Sequence, residues 1–262
     1  MKTALTAVLG EVRKSLLISW TYKVNLLLFT FTLGSIFVAI GFMMSKGTMD
    51  PELLAFGLVG YVTWMYAMSM VGDITWGLRR EINAGTLEQM LMSPASISVV
   101  LLGRVLADFV LNTIRVLLVV GVVYLALNVR IPMRWQGLPV LTLTLLGVLG
   151  FGYVVAGAML VFKRFESFAN LMQNALVFLN GAILPVDRMP GWLASIAKTL
   201  PSTQGIIVLR RVVLDGQSLA AAWQDGSLMW LIVHSAIYFA AGWIVFGYCE
   251  RIAKEQGSLG QY

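Results

Sequence analysis

Three groups of polar residues stand out from an otherwise apolar chain, and each has a spacing that suits a particular chemistry. Arg104, Asp108, Asn112 and Arg115 follow at offsets of 0, 4, 8 and 11, which puts them on one face of a helix. Such a face serves either as an internal ladder, with Arg104 paired to Asp108, or as the wall or gate of a polar conduit. Glu166, Asn170, Gln173, Asn174 and Asn180 gather amides on a second apolar stretch. Amides there either bond across helices, for about 0.6–2 kcal/mol each, or line a wet path. The third group is the polar run 79–94, which opens on Arg79-Arg80-Glu81 and closes on Ser93-Pro94. Its proline pushes the preceding residue out of the α region and ends a helix. The run reads as a short surface helix between two membrane spans, placed to touch a soluble partner, or as an ordinary loop with a helical turn.

Other chemistries lack their residues. A phosphate-binding loop needs Gly-x-x-x-x-Gly-Lys-Ser/Thr; Gly72 and Gly77 have the separation, but Leu78-Arg79 follows. No ATP site is expected in this chain, and no activity as an enzyme. One histidine, His234, and one cysteine, Cys249, do not make a metal site, which needs several ligands at set spacing. His234 sits in an apolar run and reads as a packed, hydrogen-bonded residue.

The elements that must position these groups are membrane spans. Of 262 residues, 58 % are hydrophobic and 12 % charged, about half the charge of a typical soluble domain. The net charge of +6 fits lysines and arginines at membrane edges, with no nucleic-acid partner. Six spans are expected, at 24–45, 53–78, 98–128, 137–162, 167–184 and 226–249, each close to the ~20 residues that cross the hydrocarbon. An amphipathic helix at 2–20, with Leu5, Val8, Leu9, Val12 and Leu16 on one stripe, lies at the interface before the first span. Gly147, Gly150, Gly152 and Gly157 with Ala156 allow close helix approach in span four. Segment 185–216 holds two short helices. The first runs between Pro190 and Pro201, with Trp192, Leu193, Ile196, Ala197 and Leu200 on one stripe; the second is capped by Ser202 or Thr203. Lysine and arginine are in excess on the N-terminal side of the bilayer, so both termini are expected in the cytoplasm. Neither repeats nor linkers divide residues 1–262, which read as a single domain.

Two stretches carry a family resemblance. Glu81-x-x-x-Gly85-Thr86-Leu87-Glu88 followed by Pro94 resembles the coupling-helix region of type-2 ABC transporter permeases. Leu184-Pro185-Val186-x-x-Met189-Pro190-x-Trp192-Leu193, then Leu200-Pro201 and Leu209-Arg210, resembles the family's external re-entrant segment. The two occur in the family's order, and the match extends over nearly the whole chain. The resemblance implies an all-α polytopic fold: an N-terminal interfacial helix, six transmembrane helices, a cytoplasmic coupling helix and short external re-entrant helices. It implies an exporter permease whose energy comes from a separate ABC ATPase that binds ATP and Mg, this chain binding no cofactor or metal. Glu81, Gly85, Thr86, Leu87, Glu88 and Pro94 would form the coupling contact. A second permease subunit, identical or related, would complete the pathway, bordered by Asn170, Asn174 and Asn180. Pro185 would break span five, and Trp192 and Leu193 would close the exit. An ion- or proton-driven carrier and a non-transporting membrane scaffold are the alternatives.

Overall fold

A computed structural model of the chain describes residues 10, 13, 17, 21–45, 47–86, 97–129, 131–132, 134–162 and 179–255. Among the described residues the regular structure is helical, with no strand. The order is α1 (Lys23–Met44), α2 (Pro51–Asn83), α3 (Ile97–Leu127), α4 (Gly137–Val161), a 3-10 turn (Val186–Arg188), α5 (Gly191–Thr199), α6 (Pro201–Val213), α7 (Leu219–Gln224) and α8 (Ser227–Glu255). Five of these, α1, α2, α3, α4 and α8, are long and apolar enough to cross a membrane. Most of the expected span 167–184, and most of the stretch 2–20, lie outside the described residues.

α2 is the axis of the bundle. It buries 72 % of its most apolar stretch, against 24 % for α1, 28 % for α3 and 22 % for α8. The last three therefore leave their outer faces uncovered by the other described helices. Leu54, Leu58, Val71, Ile74 and Leu78 of α2 are fully or almost fully buried. They meet Leu101 and Val105 of α3 and Val148 and Tyr153 of α4 in one core.

Apolar side chains gain little from leaving lipid for protein, so close packing and hydrogen bonds hold such helices together. Both are present. α4 and α8 touch backbone to backbone: a Cβ at Gly150 would run into the Tyr238 carbonyl, and one at Gly242 into the Gly150 carbonyl. Gly147 and Gly157 extend the seam, with added Cβ atoms only 3.2 Å from Ser235 Cα and 3.1 Å from Phe246 Cα. Gly152 instead faces α2, at Ile74 and Val71. The glycines read from the sequence as small-residue packing thus serve two seams. Three tyrosines stitch the remaining pairs. Tyr61 Oη donates to the Leu33 carbonyl at 2.8 Å, Tyr66 Oη to Thr113 Oγ1 at 3.0 Å, and Tyr153 Oη to the Ser98 carbonyl at 2.8 Å.

Several boundaries differ from expectation. Residues 79–83 do not begin a separate surface helix; they are the last turns of α2. Nothing between Leu78 and Asn83 breaks a helix, since neither glycine nor proline intervenes. At the other difference, Leu179 is helical, but 180–184 are bends. The helix stops before Pro185, at Asn180-Gly181, where Gly181 has φ +78°. α5 falls where expected, whereas α6 begins at Pro201, with Leu200 as its N-cap. Ser202 and Thr203 are fully buried and do not cap it: proline takes the first helical position, where a missing N–H costs nothing.

Candidate functional site

Two sites terminate helices at opposite ends of α2. At its C-terminal end, Gly85 takes φ +66°, the left-handed conformation that glycine adopts without strain. Its N–H donates to the Ile82 carbonyl at 3.1 Å, and the Thr86 N–H to the Glu81 carbonyl at 3.0 Å. These are the paired bonds of a Schellman stop. Side chains then lock the turn. Thr86 Oγ1 donates to Glu81 Oε2 at 2.5 Å, and Arg104 Nη2 of α3 donates to Glu81 Oε1 at 2.6 Å. The Glu81 and Arg104 side chains are 21 % and 19 % exposed, so the pair is partly screened, yet short and charge-assisted. Glu81 therefore clamps the end of α2 to α3 and to its own turn. Of the six expected coupling residues, Glu81, Gly85 and Thr86 come together here; Leu87, Glu88 and Pro94 lie outside the described residues.

Along the polar face of α3, Arg104 makes a short contact between helices, to Glu81. Asn112 is buried, and the Arg115 guanidinium lies over the Phe29 ring of α1, 5.4 Å from its centroid. Asp108 contributes to the charge environment of Asp73 on α2.

At the other end of α2, Arg210 of α6 enters the bundle with 6 % of its surface exposed. Its Nη1 donates to the Gly181 carbonyl at 2.9 Å, its Nη2 to the Ala182 carbonyl at 3.0 Å, and its Nε to the Phe56 carbonyl at 3.1 Å. The guanidinium also stacks 3.7 Å from the Phe56 ring centroid. Burial pushes its pKa down to about 10, which leaves it charged at neutral pH. Gly60 makes room: a Cβ there would strike Arg210 Nη2 and lie 2.8 Å from Ala182 Cα. Asn180, expected to border a pathway, is fully buried, and its Oδ1 accepts the Ala182 N–H at 2.9 Å. Its oxygen shapes the turn that Arg210 holds. Pro185 opens the 3-10 turn. Leu193 packs on Val186, Met189 and Ala197, while Trp192 points outward, 68 % exposed. Asn170 and Asn174 lie outside the described residues. Arg210 was expected only as part of the re-entrant motif, with no role, and Phe56 and Gly60 not at all. The available signal was the pair Arg210-Arg211 inside the apolar run from Ile206 to Val213.

Residues 8–214 match the family model described as ABC-2 type transporter. The chain belongs to that family. It is 25 % identical over 248 residues to nodulation protein J of Rhizobium leguminosarum bv. trifolii, covering 88 % of this chain and 83 % of that protein. It is 23 % identical over 195 residues to the probable multidrug ABC transporter permease YbhR of Escherichia coli K12, covering 70 % of this chain and 52 % of that one. It is 26 % identical over 187 residues to the linearmycin resistance permease protein LnrN of Bacillus subtilis 168, covering 70 % and 47 %. This ABC-2 chain is a multi-pass membrane protein and a membrane subunit of an ABC exporter.

Proposed function

We propose that this subunit converts the closing of a separate ATPase, which holds the ATP and Mg, into outward movement of a substrate through a pathway shared with a second permease subunit. The chain itself contributes no cofactor and no ATP site. Both termini and the C-terminal end of α2 face the cytoplasm. The ATPase docks on 79–94, where Gly85 sets the turn and Leu87, Glu88 and Pro94 shape the contact. Glu81 works by bracing, because both of its oxygens already have partners within the chain; Glu88 is the carboxylate left to meet a basic or amide group on the ATPase. The observation that carries this reading is the Thr86–Glu81–Arg104 clamp. A push on the stretch after Gly85 passes through it to α2 and α3 together, so two spans shift as one body. On the other side, Asn170 and Asn174 border the pathway below the helix break that Asn180 shapes. The segment from Pro185 to Leu193 closes it, with the exposed Trp192 meeting the second subunit.

The experiment is reconstitution in proteoliposomes together with the ATPase chain that co-purifies. Substrate movement should require ATP and be indifferent to an imposed proton gradient. Movement driven by the gradient without ATP, or purification with no ATPase attached, overturns the reading.

A further inference from the structure

Tyr153 of α4 has none of its surface exposed, yet it carries a hydroxyl. A phenylalanine would fill the same space without burying a polar group, so the hydroxyl answers to its partner. That partner is the carbonyl of Ser98, the second residue of α3, which accepts from Tyr153 Oη at 2.8 Å. The ring meets α8 at the same time, edge-on to Trp243 with centroids 5.7 Å apart and to Phe246 at 5.3 Å. One side chain thus bridges three spans.

Its place in the chain sets it apart from the other two tyrosine bonds. Ser98 is four residues beyond Pro94, so it flanks the stretch 87–94 on the side opposite the Glu81 clamp. α3 packs chiefly on α2 and α1, and α4 on α8, α2 and α6, while the backbones of α3 and α4 hardly approach each other. A movement of α3 therefore reaches α4 and α8 either by way of α2 or directly through Tyr153. The seam of α2 on α4 is apolar, with Gly152 against Ile74 and Val71, and packed helices slide along such seams in shear motions. A hydrogen bond to one carbonyl allows no sliding unless it breaks. α4 and α8, by contrast, are locked backbone to backbone at Gly150 and Gly242.

We infer that Tyr153 is a positioning residue for coupling: its hydroxyl fixes the axial register of α4 and α8 against the start of α3, so that a push on the stretch after Gly85 moves that pair together with α2 and α3. This rests on the docking of an ATPase at 79–94, and it adds a route past α3 that the Glu81 clamp does not supply.

The test is hydrogen exchange read by mass spectrometry on the full chain in complex with its co-purified ATPase, in lipid nanodiscs, with and without ATP trapped by vanadate. In the native complex, trapping should change exchange at 79–86, at 97–102 and in the last turns of α8, 247–255. Tyr153→Phe keeps the ring and loses the bond; it should keep the first two responses and reduce the third at least twofold. Tyr66→Phe is the control, because it removes a similar bond between α2 and α3, 3.0 Å to Thr113 Oγ1. It should lower the unfolding temperature about as much as Tyr153→Phe and keep all three responses, which separates transmission from stability. A full response at 247–255 in Tyr153→Phe overturns the inference, and so does an equal loss there in Tyr66→Phe. A native response confined to 79–86 and 97–102 also overturns it, while leaving the docking reading in place. Absence of a co-purifying ATPase, or a native chain that does not respond at 79–86 and 97–102, overturns both.

Discussion

The two ends of α2 use the same parts to different effect. Each joins a glycine at positive φ, Gly85 or Gly181, to an arginine from a distant helix. At the C-terminal end the arginine meets a carboxylate, and both side chains keep about a fifth of their surface open to solvent. At the N-terminal end Arg210 is buried and spends its donors on three backbone carbonyls and a ring. A partly exposed ion pair exchanges partners with water at modest cost. A buried guanidinium bonded to carbonyls has no such exchange. One end is held by contacts that water can replace, the other by contacts that fix a chain reversal in place.

The largest effect that can break this contrast is at Arg210. Arg210→Met should destabilise the detergent-solubilised protein by several kcal/mol, since it removes three hydrogen bonds to a charged group, worth roughly 1.5–3 kcal/mol each; its unfolding temperature should be the lowest of the series. Arg210→Lys, with one compact point charge in place of a planar fork, should recover only part of the loss. A stability close to native in Arg210→Met would remove the distinction between the two ends.

Gly60→Ala comes next. Its methyl would enter the space of Arg210 Nη2 and the Ala182 backbone, and overpacking of this kind costs about 1–3 kcal/mol. Combined with Arg210→Met, its cost should shrink, because one of the two clashing neighbours is gone. Additive unfolding free energies would show that the two sites do not share a cause.

At the C-terminal end the signs should divide differently. Glu81→Gln and Arg104→Gln should show a coupling free energy of about 0.5–3 kcal/mol in a double-mutant cycle. Each should lower ATP-driven transport more than its change in stability explains. The charge-swapped pair Glu81→Arg with Arg104→Glu should restore part of the transport. Transport at native levels in all of them would strip the clamp of its coupling role.

The smallest expected effect sharpens the same end. Gly85→Ala places a Cβ at φ +66°, at about 1–2 kcal/mol, and Thr86→Val removes one side-chain hydrogen bond, at about 1 kcal/mol. Thermal unfolding should rank them in that order, below Arg210→Met.

Much of the bundle was legible because its signals are local. A run of about 20 apolar residues reports a span without knowledge of its neighbours; α1, α3 and α4 begin and end within a residue of expectation, and α8 begins where expected but runs on to Glu255 rather than ending at 249. Pro190 and Pro201 marked α5 and α6 correctly to within a turn. The same local logic misled at the end of α2, where the charges of Arg79-Arg80-Glu81 suggested a separate helix. Charge alone does not stop a helix, and the stop waits for Gly85. It misled again at Asn180-Gly181, where the proline downstream was the louder signal. Gly181 turns the chain first, held by an arginine 29 residues later.

The sequence by itself determined the membrane class, most span positions, the glycine seam on α4 and the family. All of these depend on composition or on residues a few positions apart. Only the tertiary structure decided the partners of the charges. Arg104 faces a carboxylate on its own helix and another 23 residues away, and it makes its short bond to the distant one. Arg210 reaches a carbonyl 154 residues away. Trp64 of α2 and Asn112 and Arg115 of α3 line one cavity only because α2 and α3 lie side by side. Helical periodicity says which residues share a face, but not which face it meets, and the strength of a charge contact depends on distances of a few ångströms that only the packing of the helices sets.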